Sequence, residues 1–272
     1  MVDLRLPHGR VEAFCECGSD FWIMRSTVDR ELFRVVPDHC HDRLCVPCGG
    51  QRQSIIRRNL ARSVPEIPHR FLTLTVRHDQ EPLLILLDRL YRAFRLLRHR
   101  RFWRDRVQGG VAFLELTYDP QRQSWNPHLH CMLQGGYLEL RALSAMWLAC
   151  TGDSHNVKIK LIRQTRVVIE YITKYATKPL PASIVSDHAR LCEAIGALTA
   201  RRMVITFGSW KRWNLLDDPH DKGWELFAHL AAVKRGWRDD DVLCENILAM
   251  LPTANPQTGE FVVHVDGVEP DD

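Results

Sequence analysis

Apolar and polar positions change period several times along the chain, and the changes mark its elements. Phe71–Arg77 (FLTLTVR) alternates apolar and polar residues among β-formers, which predicts a strand. Leu83–Arg106 shifts to a helical period. Leu84, Leu87, Leu90, Tyr91, Phe94 and Leu97 form one stripe, and Arg89, Arg92, Arg95 and Arg98 stand opposite. Val111–Tyr118 and His128–Leu133 predict two strands joined through the turn-rich Asp119-Pro120…Asn126-Pro127 loop. A helix over Leu138–Cys150 and a strand over Asn156–Ile162 follow. A helix over Gln164–Thr177 then stops before Pro179. Further on, the pattern predicts a helix near Ser186–Leu198, a strand near Met203–Thr206, and helices near Trp224–Lys234 and Val242–Leu251. Upstream, Gly49-Gly50 opens a helix over Gln51–Ser63. The order β-α-β-β-α-β-α argues for an α+β fold, one sheet layer covered by helices, rather than a doubly wound parallel sheet.

Residues 1–50 lack such periodicity and are rich in Cys and His, so they are expected to be held by something other than a core. Three regions result: 1–50, 51–215, and an acidic helical extension over 216–272. Five of the nine cysteines fall in the first region. Cys45-Val-Pro-Cys48 is a short knuckle of the kind that sets a tetrahedral bite on zinc, with Cys40 five residues before it. Cys17, which precedes Gly18, is preferred as the fourth ligand over Cys15, with His39 and His41 as weaker candidates. Cys131, Cys150, Cys192 and Cys244 sit in apolar patterns and read as packing residues.

Composition is ordinary for a globular chain of 272 residues, with 26% charged and 45% hydrophobic residues. No apolar run approaches the roughly 20 residues needed to span a bilayer, and the N-terminus has no signal-peptide core, so a soluble cytoplasmic protein is expected. The net charge of +4 conceals a segregation. Gln51–Val107 holds 14 arginines against five acidic residues, whereas 217–272 holds 13 acidic residues against four basic ones. Guanidinium groups match phosphate oxygens, so the first block is a candidate nucleic-acid surface, although a solvated helix face has the same pattern. No G-x-x-x-x-G-K-[ST] motif occurs, so no ATP-driven unwinding is expected from this chain.

Two stretches carry candidate chemistry. In Asn126-Pro-His-Leu-His130, residues two apart on a strand share a face, so His128 and His130 can reach one divalent cation. Glu115, in the middle of the preceding apolar strand, needs a partner to be buried. If the hairpin folds about residues 122–123, it lies across from His130. Glu170-Tyr-Ile-Thr-Lys-Tyr-Ala-Thr-Lys178 places Tyr171 and Tyr175 one helical turn apart, with Lys174 and Lys178 flanking them. Phenols bracketed by cations suit attack on a phosphodiester. Either tyrosine alone is equally compatible with the edge of a buried helix face.

Taken together these segments resemble the HUH endonucleases, and more narrowly the rolling-circle replication initiators of plasmids and small phages. Phe71-Leu-Thr-Leu-Thr-Val looks like the first motif of that family, Pro127-His-Leu-His130 like the second, and Tyr171-Ile-Thr-Lys-Tyr-Ala-Thr-Lys178 like the third. The cysteine spacing and Arg201-Arg-Met-Val-Ile-Thr-Phe-Gly208 are similar to segments before and after them. The resemblance covers about residues 15–210 and implies a five-stranded antiparallel sheet with a helix carrying the nucleophile. It implies that His128, His130 and Glu115 bind Mg or Mn and that Tyr175 forms a 5′-phosphotyrosine. Tyr171 would be a second nucleophile, assisted with Tyr175 by Lys174 and Lys178. Cys17, Cys40, Cys45 and Cys48 would bind structural zinc. The implied partners are single-stranded or extruded origin DNA and a host helicase. The strand would be held by Arg92, Arg95, Arg98 and Arg101 and by stacking on Trp103, Trp125 and Trp210. A transposase or relaxase of a mobile element is the neighbouring reading, and an inert zinc-ribbon DNA-binding regulator is the non-enzymatic one.

Overall fold

The computed structural model describes residues 8–42, 44–175, 180, 182–218, 222–239, 241–255 and 259–264. In chain order the elements are α1 (His8–Cys15), β1 (Phe21–Ser26), β2 (Leu32–Pro37), α2 (Val46–Ser63), β3 (His69–Thr75), α3 (Leu83–His99) and α4 (Arg101–Arg104). Then come β4 (Val107–Asp119), β5 (Ser124–Gly135), α5 (Leu140–Thr151), β6 (Val157–Ile162), α6 (Thr165–Thr173), α7 (Ala182–Val185), α8 (His188–Leu198) and β7 (Val204–Gly208). The last are β8 (Trp224–His229), α9 (Leu230–Arg238), α10 (Val242–Met250) and β9 (Glu260–Val262). Two compact units result, one from Gly49–Asp217 and one from the flanking stretches Arg5–Cys48 and Asp218–Asp272.

The central unit contains a five-stranded sheet in the order β6-β3-β5-β4-β7, antiparallel throughout. Helices cover both faces, so the middle strands are buried almost end to end, as a two-sided sheet requires. On one face Leu72, Leu74, Leu129 and Cys131 are fully buried. The apolar stripe of α3 covers that face through Leu86, Leu87, Leu90 and Phe94, with Phe94 packed edge-on against Phe207. On the other face Phe71, Val111, Phe113 and Met132 pack against Ile56 and Leu60 of α2 and Val168, Ile169 and Ile172 of α6. The β4–β5 turn is closed by Asp119, whose carboxylate accepts from the amides of Gln121 (3.0 Å) and Arg122 (3.2 Å). Gly110 permits a close strand contact: a Cβ there would strike the Met132 carbonyl.

The flanking unit differs from expectation. The strands β1 and β2 do share a core, but its other half comes from residues beyond 218. Ile23 and Phe33 are fully buried against Val233, Ile247, Phe261 and Val263. β8 and β9 complete a four-stranded sheet in the order β8-β1-β2-β9. The helix expected near Trp224–Lys234 begins only at Leu230, because Trp224–His229 pairs with β1. The acidic extension is therefore partly strand. Likewise α2 begins at Val46, and Gly49-Gly50 lie within it.

A chain ending at Asp217 strips Ile23 and Phe33 of their partners. Limited proteolysis of that truncation is expected to cut residues 5–48 rapidly while sparing 49–217. Equal protection of both would refute the shared core.

Candidate active site and cysteine cluster

Strand register assembles the site. β3 pairs with β5 so that Thr73 lies opposite His130 and Thr75 opposite His128, and β4 pairs with β5 so that Glu115 lies opposite His128. Directly opposed residues share a face, so Phe71, Thr73, Thr75, Glu115, His128 and His130 all point toward α6. The register is two residues from the expected one, because a four-residue turn closes on Asp119 and Ser124. The period of two keeps Glu115 on the intended face. Its carboxylate reaches diagonally to His130, which donates from Nε2 to Oε2 at 2.7 Å.

The histidines are held from behind. His130 Nδ1 hydrogen-bonds Thr73 Oγ1 at 3.1 Å, and His128 Nδ1 hydrogen-bonds Thr75 Oγ1 at 3.0 Å. Both imidazoles thereby present Nε2 to the α6 side, a second contact that orients a ligand. His128 Nε2 lies 3.4 Å from Thr117 Oγ1. The structure thus brings His130 and Glu115 together and leaves His128 beside them, with the two imidazole centroids 6.0 Å apart. Two imidazoles and a carboxylate are a donor set suited to a divalent cation. The positioning threonines went unrecognised in the sequence, though their i, i+2 spacing in FLTLT was the available signal.

Tyr175 stacks on His130, with ring centroids 3.8 Å apart and planes inclined by 21°. The α6 helix ends at Thr173 rather than Thr177. The amide of Tyr175 still donates to the Ile172 carbonyl at 3.1 Å, an i−3 bond that tightens the last turn. Tyr171, 43% exposed, sits edge-on to Phe71 (5.0 Å) and to Tyr175 (5.5 Å). Burial pushes the Tyr175 hydroxyl well above the ordinary phenol range, and its hydrogen bond with Tyr171 and the nearby Glu115 charge push the same way. Lys174 is exposed beside the pair. Lys178 lies outside the described residues.

The expected arginine surface is elsewhere. α3 covers the opposite face of the sheet from Tyr175, so Arg92, Arg95 and Arg98 are on the far side. Arg98 is packed over Phe94 (4.7 Å) and Phe207 (5.4 Å). Arg101, in α4, pairs with Asp105 at 3.4 Å. The tryptophans expected to stack on DNA are core residues. Trp103, Trp125 and Trp210 are all buried, with Trp125 donating to Glu193 (2.8 Å) and Trp210 to Gln134 (2.8 Å).

In the flanking unit the sulfurs of Cys17, Cys40, Cys45 and Cys48 all lie within 4.8 Å of one another, a group that could hold a metal ion. Cys17 Sγ is 3.5 Å from Cys48 and 3.4 Å from Cys45. Cys15 is exposed and outside the group, and His39 Nδ1 approaches Cys48 at 3.8 Å. Burial pushes the Cys45 and Cys48 thiols up, whereas a backbone hydrogen bond at Cys40 pulls Cys17 down. Four cysteine sulfurs converging in a partly buried pocket are a donor set that fits a bound cation.

Among the described residues no helix is long and apolar enough to cross a membrane. A family model described as Replication protein matches residues 32–235. A curated relative from Lactiplantibacillus plantarum, named Protein rep, is 33% identical over 119 residues, which cover 37% of this chain and 37% of the relative. No solved structure matches. The family match takes in most of the chain, including the β3 strand, the paired histidines and the tyrosine helix, and the chain belongs to the Rep_1 family of replication proteins.

Proposed function

We propose that the protein initiates rolling-circle replication by nicking single-stranded or extruded origin DNA with Tyr175. The observation that carries this reading is the stacking of Tyr175 on His130, which itself bonds Glu115. A nucleophile candidate and two metal-ligand candidates thus meet at one point on the sheet. The phenol oxygen attacks the scissile phosphate, an O–P bond forms, and the bond to the 3′-oxygen breaks. The phenol proton leaves and the 3′-oxygen gains one, so the products are a 5′-phosphotyrosine and a 3′-hydroxyl that can prime synthesis. Because the phosphodiester energy is retained in the new linkage, reversal rejoins the strand without ATP.

His128, His130 and Glu115 would hold Mg or Mn, which when bound polarises the phosphate and favours departure of the 3′-oxygen. The chain's own groups prepare the encounter. Thr73 and Thr75 fix the imidazoles, His130 fixes the Tyr175 ring, and Lys174, with Lys178, would offset phosphate charge. Tyr171 stands edge-on to Tyr175, with ring centroids 5.5 Å apart, and would serve as the second nucleophile. Cys17, Cys40, Cys45 and Cys48 would bind structural zinc. Duplex opening would fall to a host helicase. The soluble, cytoplasmic setting of replication follows from the same reading.

Incubation of the protein with single-stranded origin DNA and Mn is expected to give a covalent adduct resolved on denaturing gels. Tyr175→Phe should abolish it, and His130→Ala should lower its rate at least a hundredfold. An undiminished adduct in Tyr175→Phe would rule out that nucleophile. Metal analysis should find one equivalent of zinc, lost in Cys45→Ser/Cys48→Ser, and unchanged stoichiometry would remove the zinc assignment.

A pH dependence also follows. The folded chain holds the Tyr175 phenol protonated more tightly than the unfolded chain does. That contribution is complete below about pH 10, the ordinary phenol value, and declines as pH rises beyond it. In metal-free protein, Tyr175→Phe is expected to flatten the fall in melting temperature above about pH 10. Parallel curves for the two proteins would show that the phenol is not shielded.

A further inference from the structure

The face of the sheet that carries the histidines continues outward to β6. Lys158 lies opposite Thr73 and Lys160 opposite Phe71, so both ammonium groups are on the α6 side in line with His130 and Tyr171. Both lysines are exposed, and β6 is an edge strand. Neither lysine has an ion-pair partner among the described residues, and the same holds for Lys174. Among the arginines of α3, Arg92 and Arg95 are exposed too, but on the helix that covers the opposite face of the sheet from Tyr175. Arg89 is engaged by Glu81 and Asp153, and Arg98 is packed on aromatic rings on the other face. Successive same-face residues on a strand are about 6.7 Å apart, which suits successive phosphates of an extended strand. Beside them Tyr171 offers a partly exposed ring on which a base can stack.

We propose that Lys158 and Lys160 form a phosphate-contact row that holds single-stranded DNA along the outer strand of the sheet and delivers it to Tyr175. The inference rests on the nicking reading for its destination, but not for its binding. Lys158 lies one strand away from Thr73, which in turn pairs with His130, so a DNA strand held at the row lies two strands from the candidate site. An unpaired lysine row on an edge is also consistent with protection against edge-to-edge sheet association, but that role calls for charge alone and predicts no effect on DNA.

The test uses the full chain and a fluorescent single-stranded oligonucleotide of mixed sequence. Dissociation constants are measured over a series of salt concentrations for wild type, Lys158→Gln/Lys160→Gln and Lys158→Arg/Lys160→Arg. Loss of two phosphate contacts is expected to weaken binding about tenfold and to make the slope of log affinity against log salt shallower by about 1.4. The arginine pair should restore both values. Unchanged affinity and slope in the glutamine pair would overturn the row, as would a loss seen instead in Arg92→Gln/Arg95→Gln. Adduct formation by the wild type is scored separately. If binding depends on the lysines and no adduct forms, the nicking reading fails and the row stands. If the adduct forms and the lysines are silent, the row fails alone.

Discussion

The hydrogen bond from His130 to Glu115 is the contact on which the site depends. Both side chains are nearly sealed from water, and each would be costly to bury alone. Their bond at 2.7 Å removes that cost only if β4 and β5 keep one register. A slip of β4 by one residue would move Glu115 into the α3 face, and a slip of β5 would turn both histidines away from Glu115 and break the Thr–His pairs with β3. The polar row on this face therefore specifies the pairing that the apolar residues around it favour but do not determine uniquely. Stability and site geometry share one constraint.

That constraint divides the labour between the two faces. The sheet face under α3 is apolar and sealed; of the arginines on that helix, Arg98 lies over aromatic rings and Arg89 pairs with carboxylates, while Arg92 and Arg95 face outward. The contacts of Arg89 and Arg98 hold the cover in place. The α6 face is apolar toward β4 and β7, where Val111 and Phe113 meet α2 and α6, and becomes polar and then cationic toward β6. The transition runs across four strands and ends at an open edge. A gradient of that kind is a sheet-level feature, carried by cross-strand neighbours far apart in sequence.

Much of this was legible in the chain, and the failures have physical causes. Alternation and helical period located all five strands of the central sheet and the helices that cover it, because those segments are long and amphipathic. The histidines and tyrosines were found because their spacing is local. The hairpin register was displaced by two, since turn length is decided by the Asp119 side chain rather than by the flanking pattern. Trp103, Trp125 and Trp210 resemble stacking platforms in sequence, yet each has an apolar body that the core accommodates and two of them have a buried acceptor for the indole N–H. The flanking unit was misread for a different reason. Its apolar residues are divided between Ile23 and Phe33 at one end and Val233, Ile247 and Phe261 at the other. Each half is too sparse to signal a core, and only pairing of the two ends reveals one.

The same division bears on what the cysteines do. A cluster of four thiols in a region without a core would have to supply the folding energy itself, as in small metal-dependent modules. Here Phe33, Phe227 and Phe261 already pack together, with ring centroids 5.5 and 6.1 Å apart, so the sheet does not rest on the thiols alone. A metal at Cys17, Cys40, Cys45 and Cys48 then has a more local task. It would tie the segment after β2 and the turn at Cys45–Cys48 to Cys17 ahead of β1, within the flanking unit. Loss of such a metal would then loosen these loops while leaving the packed phenylalanines in place, unlike a module that unfolds when the ion is removed.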